Sequence, residues 1–301
     1  MDFCFKKKNK RNNLDNKFVH QITKTLKPVN LLNISFFCIK FYLKLIGLFI
    51  KNIFFSKKNS KEINNVQIDY DNIWSSKSYF PNLQLNKNTY LKFKNNYYIS
   101  SSWHERKFFY IILCSVIELN KIDTVLEVGC GNGVLINCLS RKYKNVNFHG
   151  IDLTKKGIRL AKSLKKKKTF KKLSLFFDKD INLGSPKNLT FKQESVLNLK
   201  EELKFSLVFT TLALEQMKNI QFDAIKKITN VSNNLIVLIE PFVFYNKSFI
   251  SRNYHKLKNY FNLERKEFEI NGFKIYSEFD LPSKIYRRVG VLILKKESRN
   301  N

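Results

Sequence analysis

The stretch that decides the fold reads Ile122-Asp-Thr-Val-Leu-Glu-Val-Gly-Cys-Gly-Asn-Gly133. A short β-branched run ends at Glu127, glycines follow at 129, 131 and 133, and Val134-Leu-Ile-Asn-Cys-Leu-Ser140 then reads as a helix. Strand, glycine loop, helix is the layout of a nucleotide-type binding turn, where missing side chains let a ligand lie against the backbone. A dinucleotide would set its pyrophosphate on the helix N-terminus. Here Glu127 stands two residues before the first glycine, and the third glycine comes early. An acid facing the loop repels a pyrophosphate and attracts an ammonium or sulfonium. The pattern therefore favours S-adenosylmethionine over a nicotinamide cofactor.

Further landmarks lie in order downstream. Val146-Asn-Phe-His-Gly-Ile151 reads as a second strand ending at Asp152, nineteen residues beyond Gly133, where an acid can accept hydrogen bonds from both ribose hydroxyls. Leu189-Thr-Phe-Lys-Gln-Glu-Ser195 reads as a third strand and its turn, and Phe205-Ser-Leu-Val-Phe-Thr-Thr211 as a fourth, leading into Leu212-Ala-Leu-Glu-Gln216. Asn234-Leu-Ile-Val-Leu-Ile-Glu240, closed by Pro241, reads as a fifth, and Leu263 to Tyr276 with Gly290-Val-Leu-Ile-Leu-Lys295 as a final hairpin. Ahead of the glycine turn, Trp103 to Glu118 has helical spacing with a cap near Ser101 or Ser102. His104, at the start of that helix, is open to two readings, a base or a structural imidazole.

Glu127-Val-Gly-Cys-Gly-Asn-Gly133 resembles the first motif of class I S-adenosylmethionine-dependent methyltransferases, in particular small methyltransferase domains of the ubiquinone-methyltransferase type. The resemblance covers residues 100–296. It implies an α/β fold: a Rossmann-like, doubly wound sheet of about seven strands with an antiparallel last pair. It also implies that S-adenosylmethionine is held by Glu127, Gly129, Gly131, Gly133 and Asp152, by Glu194 and Ser195 at the adenine, and by Thr211 near the entrance. Relatives often carry Glu-His where this chain has Glu215-Gln216, so the imidazole that could serve as a base is missing and no catalytic residue is assigned. No Asn-Pro-Pro-Tyr follows the fourth strand, which disfavours amino-group methylation of adenine or glutamine by that motif.

The chain has 301 residues, 44% hydrophobic and 14% aromatic, enough to bury a sizeable core. Five cysteines without paired spacing and four scattered histidines argue against a disulfide framework or a metal site, and favour a reducing, cytoplasmic compartment. No repeat, heptad or series of long apolar spans appears. Of the net charge of +31, residues 1–60 supply +11 and residues 155–187 supply +10. Two local basic regions on a milder body suit lipid headgroups or nucleic acid, or are simply solvated lysines. The run Lys165-Lys-Lys-Lys-Thr-Phe-Lys-Lys172, interleaved with Phe170, Phe176 and Phe177, reads as a solvated loop or as a second phosphate-facing surface.

Domain organisation follows: a basic N-terminal extension over residues 1–99, with an apolar helix at about 31–55, and a catalytic domain over 100–297. In the apolar segment Asn33, Lys40, Lys44 and Lys51 share one narrow helical stripe, surrounded by Leu, Ile, Phe and Tyr. Such a helix lies in a bilayer interface with its lysines snorkelling outward; it could instead pack on the body or span the membrane at a tilt. Two lysines in mid-span, each costing about 2.5–3.5 kcal/mol, disfavour a simple transmembrane helix. The leading expectation is a methyltransferase for a small or lipid-linked acceptor at a membrane surface. An RNA methyltransferase using both basic regions and a non-catalytic cofactor-binding scaffold are the alternatives.

Overall fold

The structure is a computed structural model. It describes residues 26–29, 35, 39, 43, 88–93, 95–101, 103–166, 170–182, 184–258, 261 and 263–297. The expected apolar helix at 31–55 lies outside them, apart from Ser35, Ile39 and Leu43, which are helical and exposed. Among the described residues, no helix is long and apolar enough to cross a membrane.

In chain order the strands are β1 (Lys27–Pro28), β2 (Asn88–Phe93), β3 (Asn96–Ser101), β4 (Thr124–Val128), β5 (Asn147–Asp152), β6 (Leu189–Gln193), β7 (Phe205–Thr211), β8 (Ser232–Glu240), β9 (Phe273–Asp280), β10 (Ser283–Lys284) and β11 (Gly290–Lys296). The helices are α1 (His104–Leu119), α2 (Val134–Lys142), α3 (Lys155–Lys166), α4 (Phe170–Phe177), α5 (Gln221–Val231) and α6 (Phe249–Lys258). Seven strands form one sheet in the order β6-β5-β4-β7-β8-β11-β9. The pairs from β6 to β8 are parallel, and β11 runs antiparallel to both neighbours. This is the expected Rossmann-like arrangement. Its strand order reverses between β4 and β7, and in such sheets a ligand binds outside the carboxyl ends at the reversal.

Both faces of the sheet are covered, which is why its central strands are near-continuous apolar runs. In β8, Leu235, Val237 and Ile239 join one cluster with Phe109, Leu113, Val125 and Leu139, while Ile236 and Leu238 join the other with Ile225, Ile228 and Leu292. Each such side chain contributes about 1.5–3 kcal/mol when withdrawn from water.

Three local features depart from the sequence reading. The first is a hairpin, β2–β3, at the end of the N-terminal extension, where the sequence reading assigned only the apolar helix at about 31–55; with β1 and β10 it makes a second sheet in the order β1-β3-β2-β10. Strand β3 runs across the boundary expected between 99 and 100, and Lys284↔Leu91 joins this N-terminal sheet to the chain ahead of the final strand. The second is α4, where a solvated loop was the leading reading. Phe170 and Phe177 are buried in the main core, with Phe177 edge-on to Trp103 and Tyr110, so burial of aromatic area rather than solvation of lysine orders this segment. The third is the last hairpin, whose first strand begins only at Phe273. Residues 265–268 form a 3-10 turn closed by a capping box between Glu264 and Glu267, and Asn271 and Gly272 turn the chain with positive φ.

Candidate functional site

The glycine loop is tied to its neighbouring strand before any ligand is considered. The N–H groups of Gly129 and Cys130 both donate to Ile151 O at 2.9 Å, and Gly131 N–H donates to Asp152 Oδ2 at 2.8 Å. Gly129, Gly131 and Gly133 all have positive φ, at 73°, 52° and 67°. Space is equally restrictive, because a Cβ on Gly129 would lie 2.4 Å from Ala213 Cβ, and one on Gly133 would lie 2.6 Å from Ala161 Cβ. Only glycine meets both demands. The loop is thus a bare-backbone cradle at the point where β4 and β7 part.

Asp152 organises the far side of this cradle. Beyond Gly131, its Oδ1 accepts from the Thr154 backbone N–H at 2.8 Å and from the Thr154 hydroxyl, and its carbonyl accepts from Glu194 N–H at 3.0 Å. A Cβ at Gly157 would meet Thr154 Oγ1 at 2.4 Å, so the first turn of α3 packs directly on this network. Glu194 is half-buried and paired with Lys192 Nζ at 2.6 Å, and Ser195 Oγ accepts from Leu197 N–H at the start of a 3-10 turn. Thr211 ends β7, beside the fully buried Thr210. The carboxyl edge of β4, β5, β6 and β7 thereby carries Glu127, Asp152, Glu194, Ser195 and Thr211 on consecutive or neighbouring strands.

Glu127 is buried, and its Oε2 has no hydrogen-bond partner. Its carboxyl is pushed up to about 8, by burial first, with Arg106 of α1 opposing the shift and Asp152 adding to it. A buried oxygen short of a donor beneath a bare-backbone loop fits an ammonium-bearing ligand. The folded chain holds this proton more readily than the unfolded chain, whose ordinary value is 4.5. The associated stability is complete below about pH 4.5 and is lost as pH rises through about 8. Glu127→Gln removes that dependence. The variant should gain stability relative to wild type between about pH 5 and pH 9, read as denaturant midpoints across that range.

Three groups that the sequence reading did not single out complete the site. Glu240, at the carboxyl end of β8, accepts from Ala213 N–H at 2.9 Å, Leu214 N–H at 3.1 Å and Glu215 N–H at 3.4 Å. Arg287 donates to Glu215 Oε1 at 3.0 Å and lies 3.5 Å from Glu105 Oε2, so one half-buried guanidinium joins the start of α1, the turn after β7 and the segment after β10. Burial alone would weaken its proton affinity, yet Glu215 and Glu105 outweigh burial and raise it. His255 of α6 is buried nearby and pushed down to about 4, by burial and then by Arg287, which leaves it a neutral imidazole. His104 is held between Ser101 Oγ, 3.2 Å from Nδ1, and the edge of Phe176. The one legible signal for Glu240 is that its strand, like β5, ends in an acid.

Known proteins show the same architecture. The family model described as a methyltransferase domain matches residues 119–259, which contain the whole cradle. Residues 119–259 are a methyltransferase domain. Among solved structures, the N-methyltransferase NodS from Bradyrhizobium japonicum WM9, in complex with S-adenosyl-L-homocysteine, aligns with a TM-score of 0.51 at 9% identity, over 78% of this chain and 100% of that one. Magnesium protoporphyrin IX methyltransferase from Synechocystis PCC 6803, with the same product bound, aligns with a TM-score of 0.49 at 14% identity, over 64% of this chain and 84% of that one. No curated protein sequence matches the chain. At 9% identity the likeness to NodS speaks for the fold alone.

Proposed function

We propose that this methyltransferase moves the methyl group of S-adenosylmethionine to a small or lipid-linked acceptor at a membrane surface. The observation that carries the donor half is the cradle of positive-φ glycines flanked by the under-bonded Glu127 and by Asp152. In this reading Gly129, Gly131 and Gly133 let the amino-acid part of the donor lie on the backbone, and Glu127 receives its ammonium. Asp152 orients the ribose, Glu194 and Ser195 hold the adenine edge, and Thr211 borders the opening. When bound, the donor supplies a sulfonium-activated methyl, so the protein's tasks are alignment and exclusion of water. Buried Trp103, with the Arg106 guanidinium 5.3 Å from its ring, and the first turn of α1 support a covered reaction space. The ubiquinone-methyltransferase likeness belongs to this proposal as the narrower choice of subtype.

The membrane half rests on Ile39 and Leu43, one helical turn apart and 60% and 63% exposed, in a segment flanked by lysines. The RNA alternative is weakened by Phe170 and Phe177, which lie in the core and cannot stack on bases. The decisive assay transfers labelled methyl onto cell extract fractionated into lipid, small molecules, RNA and protein. Label in the lipid or small-molecule fraction is the expected result; label in RNA or protein, or none at all, overturns the proposal. In a second arm, Ile39→Asp with Leu43→Asp should weaken binding to anionic phosphatidylserine vesicles at least about tenfold without changing donor affinity. Unchanged vesicle binding would remove the membrane from the proposal.

A further inference from the structure

The turn after β7 adopts a conformation its own residues disfavour. Leu212 has a φ of 55°, in the left-handed region where a bulky L-residue is strained. The surroundings hold it there. Leu212 N–H donates to Ile239 O at 3.0 Å, and the next three N–H groups converge on the carboxylate of Glu240, a residue with no exposed surface.

What the turn touches gives this arrangement a consequence. On one side Ala213 abuts Gly129 so closely that no Cβ fits between them. On the other, the Glu215 side chain meets Arg287 and through it Glu105. The wall between the donor cradle and the start of α1 is therefore set by where Glu240 holds three amides. A buried carboxylate that also faces Glu215 costs stability compared with an uncharged isostere, so its presence calls for a role other than holding the fold together.

We propose that Glu240 is a positioning residue of the methyltransferase, fixing the strained Leu212–Glu215 turn so that Ala213 seats the glycine loop for the donor; this rests on the donor reading given above. It acts through the backbone and does not touch the reacting atoms.

The test compares full-length wild type with Glu240→Gln. Glutamine keeps the shape and one acceptor oxygen but turns its amide donor toward Glu215 N–H. The expected result is a melting temperature equal to or above wild type, amide exchange at Ala213, Leu214 and Glu215 at least about tenfold faster, and S-adenosylhomocysteine bound about tenfold more weakly by calorimetry. Glu240→Met, which leaves all three amides without an acceptor, should lose more affinity still. Wild-type exchange and affinity in the glutamine variant would overturn the assignment, as would an affinity loss that merely tracks a lower melting temperature. If wild type itself fails to bind S-adenosylhomocysteine, the donor reading falls. Exchange at the three amides then still decides the role of Glu240 in the turn, upheld if faster in the variant and overturned if unchanged.

Discussion

Alanine at Gly129 should weaken S-adenosylhomocysteine binding more than about 100-fold and lower the melting temperature by roughly 10 °C. Two costs combine. A left-handed backbone costs an L-residue roughly 1–2 kcal/mol, and forcing a methyl into a filled space costs about 1–3 kcal/mol more. The added Cβ would lie 2.4 Å from Ala213 Cβ, and Ala213 cannot retreat because Glu240 holds its N–H at 2.9 Å. The cradle must open instead, at the point where the donor would rest. Gly272 provides the control. Its φ is 78°, similar to that of Gly129, but nothing lies within 4 Å of the added Cβ. Gly272→Ala should show the backbone cost alone and bind S-adenosylhomocysteine as wild type does. Equal affinity in Gly129→Ala and wild type would mean that the donor sits elsewhere.

Asp152→Ala should reduce S-adenosylhomocysteine affinity about 100-fold, or about 2.7 kcal/mol, with a smaller loss of about tenfold for Asp152→Asn. The carboxylate does two things at once. It accepts from Gly131 N–H and from both donors of Thr154, which fixes the loop, and it faces the place where ribose hydroxyls would bond. Alanine removes both functions, whereas asparagine retains one acceptor oxygen and sacrifices the charge. Calorimetry on the three proteins gives the ordering. Indistinguishable affinities for wild type and Asp152→Ala would refute the ribose assignment and return Asp152 to a purely local role in the loop.

Much of the candidate cradle was legible as a strand, glycine turn and helix because its information is local. Glu127, Gly129, Gly131 and Gly133 occupy one strand-turn-helix unit, in which spacing and residue type already state the geometry. Asp152, Glu194 and Thr211 could be placed because parallel strands end within a residue of one another at the carboxyl edge: Val128 pairs with Ile151 and Thr210, and Asp152 with Gln193. The hairpin of β2 and β3 escaped because Asn, Lys and Tyr mask its alternation, and because it pairs with β10, almost two hundred residues later. The run at 165–172 misled for a related reason. Its lysines dominate the composition, while Phe170 and Phe177 determine where the segment packs.

Sequence alone located the glycine turn and the apolar strands that follow it, since these depend on short-range pattern and backbone sterics, and its resemblance to known methyltransferases implied the class of fold. Tertiary structure alone decided how that turn is walled. Glu240 reaches back 27 positions to Ala213, Arg287 reaches 72 to Glu215 and 182 to Glu105. No periodicity records such contacts, because a buried charge finds its partner through the packing of distant elements and not through spacing along the chain.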